Sequence, residues 1–356
     1  MTNQSIESLT QQSISLLSSL IQTPSFSRQE DKTADLISEF LASKGVSVKR
    51  VGHNIIAYNK HFDESKKTIL LNSHHDTVKP NAGYTLDPFQ AQIIDGKLYG
   101  LGSNDAGGCL VSLIAAFLYY YDRDDLGYNL CLIASSEEEV SGKNGVEEAY
   151  KHVCPCDFAI VGEPTLLNLA VAEKGLMVLD CTAKGVSGHA AREEGENAIY
   201  KAVEDIHWFK NYKFEKESAF LGPVKMSVTL IQAGSQHNVV PAECSFVVDV
   251  RTTDVYSNLE VLEIIKSHVH SEVQARSTRL NPSTIATSHP IVKSGLALGK
   301  QIYGSPTMSD QALLPIASVK VGPGDSARSH TADEYIFIEE IHQGIAFYID
   351  LLSGVL

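Results

Sequence analysis

Apolar residues recur at helical spacing near the start of the chain. Ile6, Leu9, Ile14, Leu17 and Ile21 fall on roughly one face, which predicts an amphipathic helix within residues 1–22. A second helix is expected after Ser27, because Ser27 and Glu30 have the spacing of a capping box, and it should end near Gly45. Short apolar runs then alternate with helical stretches. Residues 68–72 read as a strand ending at Ser73-His74-His75-Asp76, and Asp95-Gly96 reads as a hairpin turn. Residues 106–121 read as a helix that opens in glycines, 130–134 as a strand leading into Glu137-Glu138-Glu139, and 145–152 as a helix. Residues 158–161 read as a strand that ends at Gly162-Glu163-Pro164. Strands alternating with helices predict an α/β sheet whose ligands gather at the carboxyl ends of the strands.

The pattern changes near Gly175. Residues 177–184 alternate like a half-exposed strand, 196–209 read as a helix, 224–232 and 245–252 as strands, and 258–270 as another helix. This β-α-β-β-α-β order predicts a small ferredoxin-like α+β domain. The first pattern returns at residues 285–303 and 318–321 and closes with a helix over 338–352. The expected organisation is therefore a discontinuous, mixed-sheet α/β domain of residues 1–176 and 285–356, into which residues 177–284 are inserted.

A chain of 356 residues exceeds the usual size of a single core, which agrees with two domains. The net charge of −14 argues against nucleic acid or an anionic membrane as a partner. No apolar run approaches the roughly 18–20 residues that span a bilayer. Residues 1–22 read as an amphipathic helix rather than a signal peptide. The six cysteines form no spaced framework, and Cys154-Pro155-Cys156 lacks C-x-x-C spacing, so ordinary thiols in a reducing cytoplasm are expected.

The chemistry-bearing residues lie far apart: His74, Asp105, Glu138, Glu139, Glu163 and His330, each in a short motif where a strand-like run gives way to a loop. Imidazole nitrogen and carboxylate oxygen suit hard-to-borderline divalent ions. The set supplies enough donors for two ions and leaves one glutamate free to activate water. Taken singly, each motif has a plainer reading. His74-His75-Asp76 also reads as exposed histidines in a loop. Asp105 also reads as the N-cap of the following helix, and the glutamate triplet as a solvated acidic loop. Read as a set, they predict a metal-dependent hydrolase.

Eight motifs in order carry a resemblance over nearly the whole chain: SHHDTV, YGLGSNDAGG, SSEEEVSG, VGEPT, GVSGHA, NVVPAECSFVVDVR, SDQALLP and GPGDSARSHTADEYI. The chain resembles the dinuclear amidohydrolases that include acetylornithine deacetylase, succinyl-diaminopimelate desuccinylase, aminoacylase and the glutamate carboxypeptidases. The resemblance implies two Zn2+ ions per subunit, with Co2+ an alternative. It implies that His74 and Glu163 hold one ion, Glu139 and His330 the other, and that Asp105 bridges them across a following cis peptide. It further implies that Glu138 is the general base and that Asp76 orients His74. His189 is implied to reach a neighbouring subunit's site in a homodimer made by the inserted domains, and to stabilise the oxyanion there. Asn238 and Arg251 resemble residues that hold polar groups of the substrate, with a structural salt bridge as the other reading of Arg251.

Two departures from the family pattern stand out. Glu137 replaces the usual Asp, so the register of base and ligand in the triplet is open by one position. Ala106-Gly107 replaces a frequent Met-Lys and removes a basic side chain. Within the family the likeness leans toward acetylornithine deacetylase, so a small N-acyl amino acid is the expected substrate. For an N-succinyl substrate, Lys174, Arg192 and Arg328 are the candidate partners of the second carboxylate.

Overall fold

The computed structural model describes residues 5–192 and 194–356. The chain divides into two compact units. One comprises Met1–Val171, Thr284–Tyr303 and Ser309–Leu356, and the other Ala172–Ser283 and Gly304–Met308.

The first unit opens with α1 (Ile6–Ile21) and α2 (Asp31–Ser43), followed by β1 (Val48–Val51), β2 (Asn54–Tyr58) and β3 (Thr68–His74). The expected hairpin follows as β4 (Gln92–Ile94) and β5 (Lys97–Tyr99). Asp95 and Gly96 between them both have positive φ (50° and 75°), as a two-residue type I′ turn requires. Then come α3 (Gly108–Tyr120), β6 (Asn129–Ser135), α4 (Val146–Tyr150), β7 (Phe158–Val161) and β8 (Leu169–Glu173).

The central strands β6, β3 and β7 run parallel, while β2 joins β6 antiparallel. Every residue of β3, β6 and β7 is buried. Strand periodicity divides these side chains between two faces. Ile69, Leu71, Leu130, Leu132, Phe158 and Ile160 enter one core, whereas Leu70, Cys131, Ile133, Ala159 and Val161 enter another with Val146 and Ala149 of α4. A sheet covered on both faces is what a parallel centre demands. It also explains why these strands appear in the sequence as continuous apolar runs.

The second unit contains β9 (Gly175–Lys184), β10 (Gly188–His189), α5 (Ala198–Asn211), β11 (Lys225–Ala233), β12 (Val239–Val240), β13 (Glu243–Thr252), α6 (Asn258–His268) and β14 (Glu272–Ala275). Its four-stranded antiparallel sheet has the order β11-β13-β9-β14. Burial alternates strictly along β9 and along most of β13. Inward-facing Met177, Leu179, Phe246 and Val248 pack with Phe209 of α5 and with Val261 and Ile265 of α6. A capping box of Ser257 and Glu260 starts α6.

The chain returns through β15 (Ser283–Thr284), α7 (Pro290–Ala297) and β16 (Ile302–Ser305), then β17 (Ser318–Lys320), β18 (Tyr335–Phe337) and α8 (Ile338–Ser353). The strand β17 pairs parallel with β7 and antiparallel with β8, so the main sheet is mixed. The final helix α8 packs its Ile345 and Tyr348 into the same core as Leu17 of α1 and Phe117 of α3.

Two local expectations fail. No capping box forms at α2: Glu30 stands at the N-cap position without a side-chain cap. Ser27 Oγ donates instead to Asp76 Oδ2 (2.7 Å), and Glu30 accepts from Arg28 N (2.6 Å) and Glu137 N (3.1 Å). Distant partners have taken both side chains away from the local helix end. Nor is Asp105 an N-cap, since α3 starts three residues later, with Gly107 at the cap position.

Candidate metal centre

The parallel strands deliver the motifs to one edge of the sheet. His74 ends β3 and pairs in register with Ser135, the last residue of β6, after which the glutamate triplet follows. Glu163 lies two residues beyond the end of β7. Asp105 and His330 come from loops.

Asp105 sits at the middle of this cluster. Its Oδ1 lies 3.4 Å from His74 Nε2, and its Oδ2 lies 3.6 Å from His330 Nε2. Glu163 Oε1 stands 3.7 Å from the same His74 nitrogen, and Glu139 Oε2 stands 3.0 Å from the same His330 nitrogen. One donor atom from each of His74, Asp105 and Glu139 lies within 4.8 Å of the others, a spacing open to a metal ion. The Asp105–Ala106 peptide is cis.

His74 is 1% exposed, and its Nδ1 lies 3.0 Å from the carbonyl oxygen of Asp76. In the neutral ring, the form that binds a cation, that bond places the proton on Nδ1 and leaves a lone pair on Nε2. Nε2 is buried and has no hydrogen-bond partner among the described residues. A buried nitrogen lone pair facing carboxylates fits a cation, and mixed N/O donors fit a divalent one. The Asp76 carboxylate is farther from the ring, at 3.5 Å from Nδ1. It instead accepts from Glu138 N (3.0 Å) and Glu139 N (3.2 Å), so Asp76 holds the glutamate turn as well as the histidine.

The triplet divides cleanly. Glu137 has φ 57° and turns its carboxylate to Asn144, whose Nδ2 donates to Oε1 at 3.0 Å. Glu139 faces His330. Glu138 Oε2 stands 4.0 Å from His74 Nε2, farther than the nearest oxygens of Asp105 and Glu163. The neighbouring His75 takes no part: its nitrogens are engaged by Thr33 Oγ1 (2.9 Å) and the His53 carbonyl (3.0 Å), and burial pushes its pKa down to about 4.

The electrostatics describe an excess of buried anionic donors. Burial raises the pKa of Glu138 well above the carboxylate range and that of Glu163 to about 8, with nearby carboxylates adding to both. Burial opposes charge on His74, but Asp105 and Asp76 outweigh it and raise its pKa well above the ordinary value. The hydrogen bond to Glu139 raises His330 to about 9.

These shifts predict a pH dependence for the metal-free protein. Glu163 rises from 4.5 to about 8, and Glu334 likewise, mainly through burial, so the folded state holds those protons more tightly and loses stability as pH climbs through that range. The stability contributed by His330 is full below 6.5 and is lost as pH rises through about 9. All three act in one direction between pH 6.5 and 8. Chelator-treated protein should therefore show a falling Tm across that window by calorimetry, and a flat or rising Tm would contradict the assignment.

Three buried acids at the site escaped the sequence reading. Glu30, fully buried, accepts from Glu137 N and from His53 Nδ1 (2.6 Å). Asp310 accepts from Ser135 Oγ at 2.5 Å and has its pKa raised by burial to about 6. Glu334 accepts from three main-chain N–H groups of the Asp105 loop. The last two lie inside recognised motifs, SDQ and HTADE, but nothing local separates them from surface acids.

Residues 70–354 match the family described as Peptidase family M20/M25/M40. The chain belongs to that family. It is an M20-type metal-dependent hydrolase of amide bonds. Acetylornithine deacetylase of Proteus mirabilis (strain HI4320) is 29% identical over 366 residues, covering 92% of this chain and 93% of that protein. Succinyl-diaminopimelate desuccinylase 2 of Ruegeria sp. (strain TM1040) is 25% identical over 274 residues, covering 72% and 69%. Among solved structures, the YXEP protein of Bacillus subtilis, described as a dinuclear metal binding peptidase from the M20 family, shares the fold. Its TM-score is 0.74 at 17% identity, with 98% of each chain covered.

The remaining expected site residues of this M20 protein belong to the second unit. His189 is exposed on β10, where its Nδ1 accepts from Ala191 N (3.1 Å). It pairs in register with Val239, and the Asn238 carbonyl accepts from Ala190 N (3.0 Å), so His189 and Asn238 share one short ladder. Arg251 donates from Nε and Nη2 to Asp249 (2.8 and 3.1 Å), the salt-bridge alternative. Of the basic residues considered for a second carboxylate, Arg328 is engaged by Glu340 (2.6 and 2.9 Å) and lies over Tyr335. Arg192 is exposed with Glu194 3.7 Å away, and burial lowers the pKa of Lys174. No helix among the described residues is long and apolar enough to cross a membrane.

Proposed function

We propose that this chain removes the acyl group from a small N-acyl amino acid at a two-metal site, with N-acetyl-L-ornithine the first candidate substrate and arginine biosynthesis the setting. The observation that carries the two-metal reading is the placement of Asp105, whose two oxygens face separate donor pairs, His74 with Glu163 and His330 with Glu139. Zinc suits this N/O set, with cobalt an alternative. When bound, such ions polarise the amide carbonyl and lower the pKa of attacking water. Glu138, left outside both pairs, removes the proton from that water and returns it to the leaving amine. Asp76 keeps Glu138 in position through its main-chain N–H.

Support for deacetylation comes from the acetylornithine deacetylase relative, which is matched over nearly its whole length. The test is a hydrolysis panel of N-acetyl and N-succinyl forms of ornithine, citrulline and lysine, with di- and tripeptides alongside, using protein restored with zinc or with cobalt. N-acetylornithine should give the highest kcat/KM. A preference for the succinyl compounds, for another amino acid or for peptides would replace that assignment.

We further propose a homodimer through the second unit, with His189 serving the partner's site as the oxyanion donor and Asn238 and Arg251 holding substrate. The edge strand β11 exposes Leu230 (64%) and Ile231 (55%), and α5 exposes Tyr200 (70%) and Val203 (52%), apolar surface suited to a self-complementary contact. Mixing inactive Glu138→Gln with inactive His189→Ala subunits should restore about half of the sites in each mixed dimer, because one of its two sites is then wild type in both residues. No recovery in proven heterodimers would remove His189 from this role. A cytoplasmic location accords with six free thiols, and cell fractionation would check it.

A further inference from the structure

One buried carboxylate beside the metal centre has no part in the chemistry above. Glu334 is 2% exposed and lies four residues after His330. Its Oε1 accepts from Asn104 N (2.8 Å) and Asp105 N (2.9 Å), and its Oε2 accepts from Gly102 N (3.1 Å). Its own carbonyl accepts from Gly100 N (3.0 Å). Four main-chain N–H groups within residues 100–105 are thus tied to this one residue. Gly102, at φ 75°, adopts a backbone conformation that other residues rarely take, and its N–H lies within the carboxylate's reach.

A buried carboxylate is costly unless its oxygens are fully hydrogen-bonded, and a neutral side chain would satisfy a merely structural role with less desolvation. A carboxyl group offers two oxygens to take three N–H groups at these distances, whereas an amide at the same place would turn an N–H2 toward a backbone N–H. We propose that Glu334 is a positioning residue. It sets the loop so that Asp105 presents its two oxygens to separate donor pairs, and it couples that loop to the segment bearing His330. The inference rests on the two-metal reading and extends it to a residue that would touch neither ion.

The test uses the full chain stripped of metal and titrated with Co2+, followed by calorimetry and visible absorption, alongside kinetics of the reloaded enzyme. Wild-type protein should take up two ions. Glu334→Gln should bind at least one of them roughly 10–100-fold more weakly, as losses behind a metal ligand typically do. It should also change the cobalt spectrum and lower kcat with KM little altered. Glu334→Asp, which keeps both carboxyl oxygens, should recover part of the affinity, and it replaces the Gln variant if that fails to fold. Glu340→Gln, which breaks the Arg328 pair in the same segment without touching residues 100–105, should bind as wild type does. Wild-type affinity and spectrum in Glu334→Gln would overturn the proposal, as would an equal loss in Glu340→Gln. Wild-type protein that binds no divalent ion would overturn the two-metal reading itself, and this inference with it.

Discussion

Glu138→Gln is expected to reduce kcat by about 10²–10⁴-fold while leaving metal content unchanged. The amide fills the same space but cannot accept the proton of the attacking water. Its neighbour provides the contrast. Glu139 stands 3.0 Å from His330 within a donor pair, so Glu139→Gln should lower metal occupancy instead. Turnover numbers measured beside metal stoichiometry by elemental analysis separate the two outcomes. Retained metal with near-normal turnover in Glu138→Gln would remove Glu138 as the base. The reverse pattern, metal lost in Glu138→Gln and kept in Glu139→Gln, would place ligand and base one residue earlier.

The second large effect is expected at Asp105. Asp105→Asn keeps one carbonyl oxygen and replaces the other with an amide that cannot serve a cation. Because the two oxygens face different histidines, the loss should fall on one donor pair more than the other. The variant should retain at most one tightly held ion per subunit, and its affinity for the second should fall by more than the roughly 10–100-fold seen when a residue behind a ligand is lost. Activity should fall with it, since both the shared ligand and one ion are gone. Dialysis against buffers of known free metal gives the stoichiometry. Two ions held with wild-type affinity would show that Asp105 does not join the pairs.

Much of the fold was legible because the core strands are simple in sequence. Residues 69–71, 130–134 and 158–161 are continuous apolar runs, as strands buried on both faces must be, and each leads into a motif of the candidate site. The inserted sheet was legible for the opposite reason. With helices on one face only, β9 alternates buried and more exposed residues along its length. The short strands β1, β2, β8 and β18 were not legible. They are only three to five residues long, and their pairing is decided by partners elsewhere in the chain.

The misread start of α2 shows the limit most clearly. Ser27 and Glu30 have capping spacing, and a local argument has no reason to reject them. In the folded chain Asp76 and the main chain of Glu137 offer those side chains buried hydrogen bonds, and these win because an unsatisfied buried carboxylate or N–H costs more than an exposed helix end left to water. The same competition assigns Arg328 to Glu340.

By itself the sequence determined the chemistry and its order along the chain: two histidines, a set of acids, and strand-to-loop transitions that deliver them to one edge of a sheet. It also carried the switch in hydrophobic period near Gly175 on which the expectation of an inserted domain rests. Only the tertiary structure decided where each acid is placed. It turned Glu137 to Asn144, set Glu139 against His330, placed one oxygen of Asp105 toward each histidine, and gave Glu30 and Glu334 to main-chain N–H groups. The reason is physical. Hydrophobic periodicity acts over a few neighbouring residues and can be read locally. The state of a buried carboxylate depends on which donors and charges surround it, and here those come from segments up to more than 200 residues away.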